Sequence, residues 1–493
     1  MLFNSYDFFI FFPIVVMIYF VIPRNIRYIW LLVASYYFYM SWNPMYVILI
    51  ATSTLITYGS GLAIERIAIQ GREHSVRNKK IIVGCSVVLN LAILVIFKYS
   101  NFIINTLNSI LFRLNVQVIE KSFDLLLPVG ISFYTFQALS YTVDVYRGTI
   151  SSEKNVLKYA LYVSFFPQLV AGPIERSSSL MGQIRRIEHM NLWSEENTLR
   201  GLLMMAWGFF QKLVIADRIA VIVNQVYRNY EQYGFVEISI AVALFAIQVY
   251  CDFDGYTNIA RGAAKIMGFD LMKNFKRPYF AQNIKDFWRR WHISLTSWFT
   301  DYVYIPLGGN RLGIKRTYWN IMLVFFLSGL WHGAGYKFIV WGLLHGLYQI
   351  CGIIKSKYIS PKWEQPPIWV KGLNIVITFL LVDFAWIFFS ASSLSSGIRL
   401  IKQMVTNIRI DNLLGRILEL GLDGKNILIL CLSICILLVV DFLQEIHFSI
   451  FEWICKQFMV VRYAIYVIVF WYIVLLGYYG PAYDASQFIY FQF

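Results

Sequence analysis

Apolar positions in this chain fall in continuous runs rather than in alternation. The first run, Phe8 to Ile22, is followed by Arg24 and Arg27, then by a second from Tyr28 to Met40. A turn at Trp42-Asn43-Pro44 leads to a third, Met45 to Ile64, and then to a basic loop with Arg66, Arg72, Arg77, Lys79 and Lys80. Further runs occupy approximately 81–98, 123–145, 155–172, 200–226, 236–253, 318–334, 336–354, 372–390, 426–442 and 460–478. A hydrocarbon core ~30 Å thick takes about 20 helical residues to cross. A membrane β-barrel would instead show short segments of alternating polarity. Gly and Pro interrupt several runs, as in Leu127-Pro128-Val129-Gly130 and Ala171-Gly172-Pro173. Non-helical backbone at membrane depth survives only where protein or a wet cavity satisfies it, so not every run need cross. The pattern predicts an all-α polytopic membrane protein with about eleven transmembrane helices plus re-entrant and interfacial helices. No internal repeat and no low-complexity linker is present, so residues 1–493 read as a single integral-membrane domain.

The first run lacks a basic leader and a small-residue cleavage site, so it is expected to be a retained span. Placing both early basic stretches in the cytoplasm puts the N-terminus outside.

Composition narrows the class further. Of 493 residues, 58% are apolar and only 14% charged, against about 25% charged in an ordinary soluble protein. That excludes a soluble enzyme, a disordered chain, a disulfide scaffold and a single-span receptor. The formal net charge of +15 fits cationic cytoplasmic loops, and no soluble domain is left to carry a nucleic-acid site. Six cysteines match no zinc spacing, and Cys431 with Cys435 read as a packing pair on one helix face. No metal site is expected.

The stretch from Asp252 to Arg316 differs from both ends, being rich in Lys, Arg, Trp and Tyr. Asp286-Phe287-Trp288-Arg289-Arg290-Trp291-His292 is too charged to span lipid and reads as an amphipathic or re-entrant segment, with its Trp residues at headgroup level. Soluble-enzyme signatures are missing: there is no phosphate-binding loop, no nucleophile elbow and no H-E-x-x-H.

Polar residues at membrane depth therefore carry the candidate chemistry. His332 follows an apolar run and precedes Gly333-Ala334-Gly335. A helix entering near Tyr318 would place it about 21 Å deep at ~1.5 Å per residue. An imidazole there is expected to be neutral and able to take a proton from a hydroxyl. His292 reads either as a base or orienting donor or as an interfacial histidine beside Arg289 and Arg290. His345 fits helix–helix hydrogen bonding. Asp252, Asp254 and Tyr256 close the 236–253 run, where bracing against Arg289 or Arg290 is expected over acid–base work. Asp383 and Asp441 read as packing contacts. Arg277, Arg289, Arg290 and Arg311 either bind phosphates or simply mark the cytoplasmic side.

An ordered series of motifs adds to this reading. It comprises Asp252-Phe253-Asp254-Gly255-Tyr256, Phe287-Trp288-Arg289-Arg290-Trp291-His292-Ile293-Ser294 and Tyr304-Ile305-Pro306-Leu307-Gly308-Gly309-Asn310. It continues with Gly329-Leu330-Trp331-His332-Gly333-Ala334 and Trp341-Gly342-Leu343-Leu344-His345-Gly346. Upstream lie Leu127 to Gln137 and Phe166 to Ile174, and Phe488-Ile489-Tyr490-Phe491-Gln492-Phe493 closes the chain. The series resembles the membrane-bound O-acyltransferase (MBOAT) family, and the terminal motif resembles the bacterial branch related to the alginate O-acetyltransferase membrane subunit. The motif-rich core is 125–350. Two departures stand out: Asp254 where the family pattern reads D-F-S-G-Y, and Asn258 where an Asp is common nearby.

The resemblance implies a helical funnel with His332 as the catalytic residue at its constriction and His292 as the second family histidine. It places Arg289, Arg290, Trp291, Trp331, Asp252, Tyr256 and Asn310 among the residues expected to bind donor or acceptor. It implies an acetyl group passed from cytoplasmic acetyl-CoA, or a similar thioester, to hydroxyls of an extracytoplasmic polysaccharide. Transfer would be direct or through a relay protein, in a bacterial inner membrane, with no tightly bound cofactor. D-alanyl transfer to teichoic acid from a carrier protein is the rival within the same chemistry. A transporter or flippase is the rival outside it, although matched broken halves are not found.

Overall fold

The computed structural model describes residues 1–70, 75–119, 128–190, 193–358, 367–409 and 411–479, and no strand occurs among them. Arg72, His74, residues 123–127 and the terminal 488–493 motif lie outside the described residues. Among the described residues, seven helices are long and apolar enough to cross a membrane: Tyr46–Gln70, Ser75–Lys98, Phe235–Ile266, Tyr336–Tyr358, Ile368–Ser390, Gly424–Glu445 and Met459–Leu476.

Several other apolar runs do not form one long helix among the described residues, and the reasons are local. The 155–172 run gives a helix only over Val156–Ser164, because Pro167 and Pro173 cannot continue one. The 200–226 run divides into helix Glu195–Phe209, a wide π turn over Phe210–Ala216 and helix Asp217–Arg228. Tyr6–Val21 and Arg27–Met40 have 16 and 14 residues, short of a full crossing. On Met459–Leu476 the side chains of Val467, Ile468, Phe470 and Trp471 face outward, as a lipid-facing surface requires.

The described chain divides into two compact units, residues 1–202 with 260–272 and residues 203–259 with 273–493. In the first, Tyr46–Gln70 packs on Ser75–Lys98 and on helix Ile131–Arg147, while Arg27–Met40 packs on Val156–Ser164. Gly130 starts the 131–147 helix at φ +76, a left-handed conformation that glycine adopts without steric cost. A Cβ at Gly130 would stand 2.6 Å from the Leu169 carbonyl oxygen, so the two upstream motifs meet here. Side chains repair the backbone where these helices break. Tyr39 donates to the Val129 carbonyl at 3.1 Å, and the Ser35 hydroxyl accepts the Phe166 N–H at 3.1 Å. Gln137 and Gln168 both donate to the Tyr162 carbonyl, at 2.5 and 3.2 Å.

In the second unit, helix Ile314–His332 folds back on Tyr336–Tyr358, which also packs against Ile368–Ser390. Glycines bring the hairpin backbones together: a Cβ on Gly342 would collide with the Phe325 carbonyl, and one on Gly329 with that of Phe338. Small residues at such crossings let helix backbones touch. The Asp252–Tyr256 motif, expected at the end of a span, lies instead inside the 32-residue helix Phe235–Ile266. The helix continues because its carboxylates are matched. The Lys212 ammonium lies 2.7 Å from Asp252 and 2.8 Å from Asp217. Asp254 accepts from Gln211 at 2.9 Å and from Asn258 at 3.0 Å.

Candidate active site

His332 is the last residue of its helix. Gly333 follows in extended conformation, and a Cβ there would collide with the Phe338 ring folded beneath the turn. The Lys337 ammonium donates to the Phe389 and Ala391 carbonyls at 3.3 and 2.6 Å. This ties the end of Ile368–Ser390 to the start of Tyr336–Tyr358 and sets Phe389 against His332, with ring centres 5.4 Å apart. His332 is 4% exposed.

His292 joins two seven-residue helices, Ile284–Arg290 and Ile293–Phe299, at φ +42 and ψ +53. It is fully buried, which excludes the interfacial snorkelling role. Trp288 and Trp291 are also buried, at 5% and 1% exposed. Both are part of the protein interior, where their area packs on other rings rather than facing lipid. Burial pushes the His292 imidazole down to about 3, leaving it uncharged at neutral pH.

The two motif histidines come together, their ring centres 6.3 Å apart. Around them, Phe253 stands edge-on to His292 at 4.7 Å and Trp331 at 5.8 Å. Trp341 stands edge-on to His332 at 4.9 Å and stacks on Trp386 at 5.7 Å. The Trp341 indole N–H is buried and has no hydrogen-bond acceptor among the described residues. His345 takes the packing role expected of it, its Nδ1 accepting the Trp288 indole N–H at 3.3 Å. Asp441 does likewise, accepting the Tyr250 hydroxyl at 3.1 Å.

The arginines are placed differently from expectation. Arg290 makes a two-pronged contact with Glu445, at 2.8 and 3.0 Å, and reaches Asp286 at 3.1 Å. Arg277 shares Glu445 at 2.6 Å. Neither braces Asp252, whose cation is Lys212. Arg277 and Arg290 match the fork geometry of a carboxylate and act as ties between segments. Arg289 and Arg311 are exposed, as is Asn310. The Asn310 turn is held by Asn320, which donates to the Leu307 and Gly309 carbonyls at 3.3 and 2.9 Å. Tyr256 is buried. Among the described residues no group of three His, Cys, Asp or Glu is arranged to hold a metal ion.

Sequence reasoning missed Lys212, Trp341, Trp386 and Phe389 as neighbours of the motif residues. A lysine inside an otherwise apolar run was a usable signal, since such a charge must find a partner. Trp341 stood within a quoted motif, whereas Trp386 and Phe389 look like ordinary span residues.

The MBOAT, membrane-bound O-acyltransferase family matches residues 149–394, a segment that contains every ring named around His332 and His292. The chain is 36% identical over 405 residues to a probable alginate O-acetylase of Pseudomonas aeruginosa, covering 82% of this chain and 75% of that protein. It is 34% identical over 401 residues to the peptidoglycan O-acetyltransferase of Helicobacter pylori, covering 76% and 73%. A teichoic acid D-alanyltransferase of Bacillus subtilis is 29% identical over 286 residues, covering 53% and 68%. Together with the seven apolar helices, these matches make the chain a multi-pass O-acyltransferase of the bacterial inner membrane, a member of the membrane-bound O-acyltransferase family.

Proposed function

We propose that the enzyme moves an acetyl group from cytoplasmic acetyl-CoA, or a like thioester, to hydroxyls of an extracytoplasmic polysaccharide, with His332 as general base. The observation that carries this reading is the meeting of two motif histidines inside one buried cluster of rings. The imidazole of His332 takes the proton of the acceptor hydroxyl as its oxygen bonds to the thioester carbon. The carbon–sulfur bond then breaks, and the imidazolium returns the proton to the departing thiolate. Charge gathers on the thioester oxygen between these events, and a buried donor lowers its energy. His292, Trp331 and Trp341 carry ring N–H groups in this cluster, with ring centres 6.3, 5.0 and 4.9 Å from that of His332.

Acetyl rather than D-alanyl transfer is favoured by similarity to the acetylases, which extends over 82% of this chain against 53% for the D-alanyltransferase. The acceptor hydroxyl belongs to the polysaccharide itself or to a relay protein outside the membrane. Basic loops in the cytoplasm would leave the N-terminus outside.

Labelled acetyl-CoA added to membranes containing wild type or His332→Ala at equal abundance tests the reading. Transfer to polymer with release of CoA in wild type, and neither in the variant, is expected. Unchanged transfer in the variant removes His332 from the mechanism. Movement of substrate without CoA release identifies a transporter.

A further inference from the structure

His292 poses a local problem that its own side chain does not solve. Its backbone is left-handed, a sparsely populated conformation for any residue with a Cβ, although His visits it more often than most. It is also the residue preceding helix Ile293–Phe299, yet its side chain caps no N–H of that helix. The first N–H groups of a helix need an acceptor, normally the side chain at that preceding position.

Asn274 supplies what is missing from a separate segment. Its carbonyl oxygen accepts the Ile293 N–H at 2.9 Å, and its side-chain oxygen accepts the Ser294 N–H at 3.3 Å. Its amide nitrogen donates to the Thr257 hydroxyl at 3.4 Å, on the Phe235–Ile266 helix. Asn274 itself is fully buried. Two residues on, Lys276 donates its N–H to the Arg290 carbonyl at 2.9 Å. Residues 274–276 therefore bracket His292 on both sides. The next residue, Phe275, packs on Phe253 at 5.1 Å, and Phe253 in turn meets the imidazole.

We propose that Asn274 is a positioning residue for the acyl-transfer reaction: it caps the Ile293–Phe299 helix in place of His292 and so holds the imidazole turned toward His332. The proposal rests on the reading that His292 and His332 share the active site. Asn274 touches no reacting atom in this scheme. Its effect passes through His292 alone, which makes it separable from a general contribution to folding.

The test is a double-mutant cycle on the full-length protein in membranes, with labelled acetyl-CoA as donor and rates expressed per folded molecule. Asn274→Ala is expected to lower kcat on the order of 10–100-fold, the scale of a misplaced catalytic group, with KM for acetyl-CoA within about threefold. His292→Gly removes the imidazole and accepts a left-handed backbone without help. Adding Asn274→Ala to it is therefore expected to lower the rate no further. Asn274→Asp keeps an oxygen for the Ser294 N–H and is expected to recover part of the loss. Additive losses in the double variant, or an Asn274→Ala rate per folded molecule equal to wild type, overturn the positioning role and leave the histidine pair standing. A fully active His292→Gly overturns the shared-site reading itself.

Discussion

Two regions of this molecule carry equally dense motifs and use their buried polar groups in different ways. In the first unit, Tyr39, Ser35, Gln137 and Gln168 end on backbone atoms of segments broken by Gly130, Pro167 and Gly172. There the motif residues Gln137 and Gln168, with Ser35 and Tyr39 from a neighbouring helix, keep interrupted chain satisfied in an apolar setting. In the second unit, His292 and His332 stand edge-on to Phe253, Trp331, Trp341 and Phe389. Backbone repair there is delegated to other residues, namely Asn274, Asn320 and Lys337. The difference separates motif side chains that cap the main chain from motif side chains whose backbone is capped by others, and the proposed mechanism draws on the second kind.

That contrast can be broken in graded steps. His332→Ala is expected to cut acetyl transfer on the order of 10²–10⁴-fold while the protein still accumulates, measured with labelled donor in membranes. Lys212→Met leaves Asp217 and Asp252 buried without the ammonium they share. A loss of about 3–5 kcal/mol in unfolding free energy is expected, read by thermal unfolding in detergent. Gly130→Ala forces a Cβ onto the Leu169 carbonyl at φ +76 and is expected to cost about 1–3 kcal/mol. Its transfer rate per folded molecule should stay within about twofold of wild type. A large fall in that specific rate would draw the first region into the chemistry and erase the contrast.

Acid supplies the mildest perturbation. Burial lowers the folded His292 pKa to about 3 from 6.5. Between these values the unfolded chain binds a proton that the folded chain refuses, so stability falls as pH drops below about 6.5. The slope expected from this residue is about 1.4 kcal/mol per pH unit. The unfolding midpoint of wild type should decline between pH 6.5 and 5 more steeply than that of His292→Gly. Parallel curves would show that the ring titrates normally.

The sequence made helices, membrane class and both histidines legible, because apolar run length and ordered motifs report on them directly. Helix boundaries at Tyr46–Gln70 and Ile368–Ser390 lie within a few residues of the apolar runs. The Asp252–Tyr256 segment reads as a span end because the apolar run stops at 253, whereas the helix continues to Ile266. The cation that pairs with Asp252, Lys212, is 40 positions away in sequence, and pairing over such a distance leaves no local pattern. From sequence alone Arg290 reads as a phosphate ligand or a cytoplasmic marker and not as a tie, because Glu445 is far along the chain and gives no periodic hint. Composition alone does not tell that the Trp residues at 288 and 291 are buried, which only packing reveals.

The glycine crossing between Ile314–His332 and Tyr336–Tyr358 also limits how the enzyme can change. With the Phe325 and Phe338 carbonyls occupying the space where Gly342 and Gly329 would carry a methyl group, this pair of helices cannot slide or rotate without steric collision. Any side chain larger than hydrogen at either position would push the two backbones apart, so the turn that ends in His332 depends on both glycines being kept.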